Sequence, residues 1–259
     1  MPRKSVRFYT YVSSPYGMKV HGYLLYKQIP FELVYVNPIH PEKDLPMGRA
    51  VPVLEIDGEV RADSSPIGIW LDEAFPDTPQ LMPDDPTAAA SVHSADTWIT
   101  DVLIPAIFYR VHPRLTAPGN LPRTIADTLR LGYCVDYTTP GGLPFGLRYL
   151  WPLFINRAGF IRRMVAPLAS SASAEAYRAT VLSALDRKLR DRDFIAETNT
   201  PSLADIGAWA LIAGPYLLGL RGMDDYIAHA NVLRWMRTLE PAVRDGTGLP
   251  PLVPALLNR

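Results

Sequence analysis

The sequence predicts an α/β N-terminal domain followed by an all-helical remainder. Three observations carry this. Residues 8–62 alternate short β-prone runs with one amphipathic helix, four prolines crowd residues 76–86, and beyond them apolar residues recur at helical spacing. A chain of 259 residues holds one or two domains at roughly 100–200 residues each. The expected division is 1–79 and 87–259, with a linker between.

Phe8-Tyr9-Thr10-Tyr11-Val12 is aromatic and β-branched and predicts the first strand. Ser13-Ser14-Pro15 ends it and opens a helix, with a serine at the cap and proline in the first turn. Val20, Tyr23, Leu24 and Lys27 recur at helical spacing, and the helix is expected to end before Ile29-Pro30. Residues 31–36 are apolar apart from Glu32 and predict a second strand. Strand, helix and strand in so short a span make a βαβ unit with a parallel pair. Val51 to Ile56 and Glu59-Val60-Arg61 flank Asp57-Gly58, a strong local hairpin signal. Asp63-Ser64-Ser65-Pro66 opens the next helix, carrying Ile67, Trp70, Leu71 and Ala74 on one face.

In the second part, residues 88–111 predict one long helix, 174–189 another, and 203–220 a central helix that is apolar nearly all round. Between the first two, residues 113–167 are rich in Pro, Gly and aromatics, including Tyr133, Tyr149, Trp151, Phe154 and Phe160. These rings suit either the wall of a hydrophobic second-substrate site or a satellite core.

Lys+Arg and Asp+Glu balance at 26 each, so no global field draws nucleic acid or an anionic bilayer. A small neutral partner fits better. Cys134 is the only cysteine, which excludes an internal disulfide and a thiolate metal cluster, and no metal is expected. The first residues lack a signal-peptide pattern and no apolar run reaches the roughly 18 residues of a membrane span. Cytoplasmic residence is the expectation. A membrane role is not, apart from a peripheral contact through the aromatic segment around 149–165.

The β-α-β then β-β-α order, with a proline opening the hairpin, is the thioredoxin-type arrangement. Four local motifs then resemble glutathione transferases. Ser13-Ser14-Pro15-Tyr16-Gly17-Met18-Lys19-Val20 resembles the family's active-site turn and first helix. Gly48-Arg49-Ala50-Val51-Pro52-Val53-Leu54 resembles its cis-proline segment, and Asp63-Ser64-Ser65-Pro66-Ile67 its acidic-Ser turn. Pro201-Ser202-Leu203-Ala204-Asp205-Ile206 resembles the capping box of the central helix. The chain departs from the family in Pro46-Met47-Gly48, in Asp63 where Glu or Gln is commoner, and in the length of 113–167.

The resemblance implies a glutathione-dependent transferase with a thioredoxin-like domain and a helical-bundle domain, assembled as a homodimer. Ser14 would stabilise the glutathione thiolate, with Ser13 and Tyr9 as rivals for that role. Val51 and Pro52 would pair with the cysteinyl backbone. Ser64 would cap the γ-glutamyl carboxylate and Asp63 its ammonium, while His40, Lys43 and Arg49 are candidates for the glycyl carboxylate. Tyr16, Tyr149, Trp151 and Phe154 would line the pocket for a small hydrophobic electrophile. A glutathione-dependent isomerase and a non-catalytic binding protein are the alternatives.

Overall fold

The computed structural model describes residues 4–155, 157, 159–220 and 223–244. The part of the expected second domain beyond residue 244 therefore lies outside the described residues. Strand β1 (Val6–Thr10) pairs in parallel with β2 (Glu32–Tyr35) and antiparallel with β3 (Val53–Ile56), which pairs with β4 (Glu59–Ala62). The sheet order is β2-β1-β3-β4, the mixed sheet of a thioredoxin-like fold. The hairpin turns as its sequence predicts, with Asp57 at φ 50° and Gly58 at φ 89°, the pair of positive values that a tight I′ turn requires.

Helices α1 (Pro15–Tyr26) and α2 (Ser64–Ala74) pack together beside this sheet. Phe8 faces them and joins the main core, whereas Tyr9 lies on the other face with Val36 and Val53. Gly17 lets α1 cross β1 closely, since a Cβ there would sit 1.9 Å from Thr10 Oγ1.

The helical part begins with α3 (Pro86–Trp98). A π-turn over Ile99–Leu103 leads into α4 (Ile104–Phe108) and a short 3-10 turn over Tyr109–Val111. The single helix expected over 88–111 is thus continuous but widened in the middle. Pro105 has no N–H to give to the Asp101 carbonyl, and the ladder adjusts before it. Within 113–167, where no helix was expected, the chain forms α5 (Leu121–Thr138), α6 (Trp151–Ile155) and α7 (Gly159–Met164). Then follow α8 (Ala174–Lys188), α9 (Leu203–Leu217), α10 (Met223–Ile227) and α11 (Ala230–Arg244).

Helix α9 is buried on every side from Leu203 to Ala213, as its composition predicts. It lies against α1 so tightly that a Cβ on Gly22 would come within 2.8 Å of the Ala210 Cβ. Its capping box forms: Asp205 accepts from Ser202 N–H at 3.2 Å, Ser202 Oγ at 2.7 Å, Ile195 N–H at 2.8 Å and Trp235 Nε1 at 3.0 Å. Burial pushes this carboxyl above the usual carboxylate range, and the four donors pull the other way without cancelling it.

Two buried lysines, Lys19 within α1 and Lys27 at its C-cap, tie α1 to its neighbours. Lys19, fully buried, donates to Asp96 of α3 at 2.6 Å, and the other Asp96 oxygen accepts from Ser65 in the first turn of α2. Lys27 donates to Asp72 of α2 at 2.6 Å and to the Pro79 carbonyl at 2.9 Å. Asp72 in turn accepts from the backbone of Leu81 and Met82, so the proline-rich connection is anchored rather than free.

Removing one partner of the Lys19–Asp96 pair leaves the other charge buried and uncompensated. Asp96→Ala is expected to lower unfolding free energy by about 3–5 kcal/mol in urea titrations. Pairing Lys19→Met with Asp96→Leu should recover most of that loss, because two apolar side chains need no partner.

Candidate functional site

Three chain segments at the ends of β1, β3 and β4 form the candidate site. The first is the β1–α1 turn. Ser14 N–H donates to the Tyr11 carbonyl at 3.0 Å, and the residue takes extended backbone angles as the α1 cap. Its Oγ accepts from Gly17 N–H at 3.1 Å. The hydroxyl is buried and still has its own proton to donate, so capping and donation to a ligand are compatible. Ser13 is half-buried in the turn. The Tyr9 hydroxyl donates to Glu55 Oε2 at 2.9 Å on the opposite face of the sheet, which separates it from this turn.

The second segment is Val51–Pro52, whose peptide bond is cis, as the motif implies. The third is the start of α2. Asp63 N–H donates to the Pro52 carbonyl at 3.3 Å, which joins the second and third segments directly. Asp63 stands at φ 74° and ψ 137°, a region that a residue with a Cβ rarely occupies and that costs of order 1–3 kcal/mol. Its carboxylate is exposed and is not used as a cap. Ser64, the first residue of α2, is buried at the helix N-terminus. Free N–H groups and the helix dipole favour an anion there, beside the Asp63 carboxylate, which favours a cation.

Tyr16, in the first turn of α1, is half-buried, and its phenol is pushed upward by burial, then by the charges of Asp63 and Asp101. Asp101 belongs to the π-turn and also raises Tyr177, after burial; the Tyr177 hydroxyl donates to the Val102 carbonyl at 3.2 Å. The helical part therefore brings an acid to the site that sequence reasoning missed. Pro105 within a helical run was the available signal, since π-turns accompany such interruptions and recur at functional sites.

The other expected residues are dispersed. His40 Nδ1 and Arg49 both pair with Glu42, at 3.5 Å and 3.2 Å, on the exposed loop after β2. Lys43 is exposed on the same loop. Trp151 is buried against Gly132 of α5, and its ring stacks at 5.1 Å on the partly exposed Phe154. Tyr149 is exposed and its hydroxyl accepts from Arg148 at 2.6 Å. Packing and surface contacts thus account for these three rings. Cys134 lies within 3.8 Å of the Leu218 carbonyl, its thiol pushed up by burial.

A family model described as the glutathione S-transferase N-terminal domain matches residues 8–79. Solved structures match over nearly the whole chain at low identity. The beta-etherase LigF of Sphingobium is 20% identical over 93% of this chain and 98% of its own, with a TM-score of 0.57. A glutathione S-transferase of Methylobacterium radiotolerans in complex with glutathione sulfonate is 21% identical over 96% and 97%, at 0.57. One from Rhodospirillum rubrum is 19% identical over 95% and 96%, at 0.58. No curated protein matches the chain in sequence. Residues 8–79 thus match the glutathione S-transferase N-terminal domain in sequence, and the described residues share the fold of these solved structures.

Proposed function

We propose that the chain is a glutathione-dependent transferase in which the Ser14 hydroxyl steadies the glutathione thiolate for attack on a small hydrophobic electrophile. The observation that carries this reading is the bond from Asp63 N–H to the carbonyl of the cis Pro52, with Tyr16 of the Ser14 turn within electrostatic reach of Asp63. Glutathione presents a thiol, a peptide backbone, an ammonium and two carboxylates. The α1 cap offers a hydroxyl donor and a helix dipole to the sulfur. Val51 offers strand-like backbone groups to the cysteinyl residue. Ser64 and the α2 N-terminus take the γ-glutamyl carboxylate, and Asp63 takes the ammonium.

The glycyl carboxylate is assigned to the exposed loop bearing His40, Lys43 and Arg49, where Glu42 already engages His40 and Arg49. Lys43 is therefore the preferred partner. Tyr16 is assigned to the side where the second substrate would enter, with Asp101 within electrostatic reach of it. The chain is further proposed to act as a homodimer.

Lowering the thiol pKa from about 8.5 to about 6.5 raises the thiolate fraction near neutral pH roughly twelvefold. Intrinsic nucleophilicity falls roughly eightfold over the same change. The two nearly cancel, so holding the electrophile against the sulfur is the larger part of the rate.

Ser14→Ala removes one hydrogen bond to a charged sulfur, and kcat/KM for a chlorinated aromatic test substrate should fall roughly 10- to 100-fold. Glutathione affinity by calorimetry should change less than about threefold. Ser13→Ala should leave both near wild type. A large loss in Ser13→Ala with none in Ser14→Ala would transfer the role. Wild-type protein that binds glutathione but turns over no electrophile in a broad panel would overturn catalysis altogether.

Asp63→Gly separates strain from binding. Glycine accepts φ 74° freely, so thermal stability should hold or rise by about 1 kcal/mol while glutathione affinity falls roughly tenfold or more. Unchanged affinity would remove Asp63 from the site.

A further inference from the structure

Residues 113–167 differ from the rest of the chain in charge. They hold seven arginines and no lysine, against two acids, Asp127 and Asp136. The segment is thus +5 in a chain whose formal charge is zero, leaving −5 on the remainder. Asp127 is buried and Asp136 pairs with Arg148 at 3.2 Å. Arg123, Arg157, Arg162 and Arg163 are exposed.

The same segment carries the exposed apolar surface. Of thirteen large apolar side chains exposed among the described residues, eleven fall within it. Leu121, Ile125, Leu129, Tyr133 and Tyr137 recur every four residues along α5. Helix α6 crosses α5 at Gly132, where a Cβ would stand 2.6 Å from that of Trp151. This anchor holds Leu150 and Leu153 outward, at 55% and 60% exposure. Phe145 projects furthest and is 109% exposed. Its turn is fixed by a bond from Leu147 N–H to the Pro144 carbonyl at 3.0 Å and by Gly146 at φ 81°. A phenylalanine held at the tip of an ordered turn gains nothing in water.

We propose that this segment docks the protein peripherally on an anionic phospholipid bilayer, with Phe145 inserted among the acyl chains and the arginines on headgroup phosphates. Tyrosines with one wet end suit the interfacial zone, and guanidinium forks suit phosphate oxygens. No helix among the described residues is long and apolar enough to cross a membrane, so the contact is superficial. The same segment of a second copy is a poorer occupant, because packing it on itself would set one +5 segment against another. This inference is independent of the glutathione reading.

The test is cosedimentation of the full chain with phosphatidylcholine vesicles, with and without phosphatidylserine at about 30%, in low salt and in about 0.5 M NaCl. Binding is expected on the serine-lipid vesicles alone and should be weakened by salt. Arg162→Gln with Arg163→Gln should weaken it about thirtyfold, and Phe145→Ser about tenfold or more. All three side chains are exposed, so circular dichroism should show the fold kept. Absence of binding, or equal binding to neutral vesicles, overturns the proposal. So does polyglutamate binding as tightly as the vesicles, which would indicate an acidic protein partner. Self-association abolished by Phe145→Ser would overturn it in favour of a second copy.

Discussion

The structure depends most on the buried bond between Lys19 and Asp96. An ammonium without water is tolerable only where a carboxylate meets it, and the carboxylate needs further donors for its remaining lone pairs. Ser65 supplies one of them. The requirement fixes α1, α2 and α3 relative to one another, and with them the N-termini of α1 and α2. Lys27 and Asp72 repeat the device at the other end of α1 and tie down the proline-rich connection. The first clamp joins the α/β part to the helical part by directional bonds and the second joins α1, α2 and the connection, while the apolar core around α9 supplies adhesion without direction.

Ser14 and Asp63 illustrate two ways of placing a polar group at a helix start. Ser14 follows the local rules: its oxygen caps the helix and its angles are ordinary. Asp63 breaks them, with a strained backbone and a carboxylate the helix does not use. Its N–H is held by the Pro52 carbonyl, so the surrounding hairpin imposes the conformation. A residue kept where it is uncomfortable, with its charge facing out, is where a functional demand is to be sought.

Much of this was legible in the sequence, because it depends on neighbours along the chain. The Asp57-Gly58 turn, the Ser14 cap and the Ser202–Asp205 box are all local, and each forms as its residues predict. The acid at Asp101 was not legible, since it reaches Tyr16 only through tertiary packing. Nor was the burial of Lys19, which reads as an exposed helix residue until its partner 77 positions away is known. Helix α5 was missed for a different reason. Its buried face consists largely of Thr124, Asp127, Thr128 and Gly132 beside Leu131 and Val135, while Leu121, Ile125 and Leu129 face out. The usual apolar stripe is inverted, and a periodicity rule that assigns apolar residues to the core points the wrong way.

The segregation of charge has a further consequence for how the molecule behaves in solution. With a sequence isoelectric point of about 7.0, the protein has almost no colloidal repulsion to keep copies apart at neutral pH. The positive excess is nevertheless confined to one stretch of the sequence and the negative excess to the rest, which makes the neutral chain electrically uneven. A neutral dipole is not drawn bodily by a distant charged surface, but it is turned by one. The torque presents the arginine-bearing end first, and its reach contracts with the Debye length, about 8 Å at physiological ionic strength. Such a charge pattern orients the molecule first, and attraction follows within about a Debye length of the surface, where the nearer arginines outweigh the screened acids.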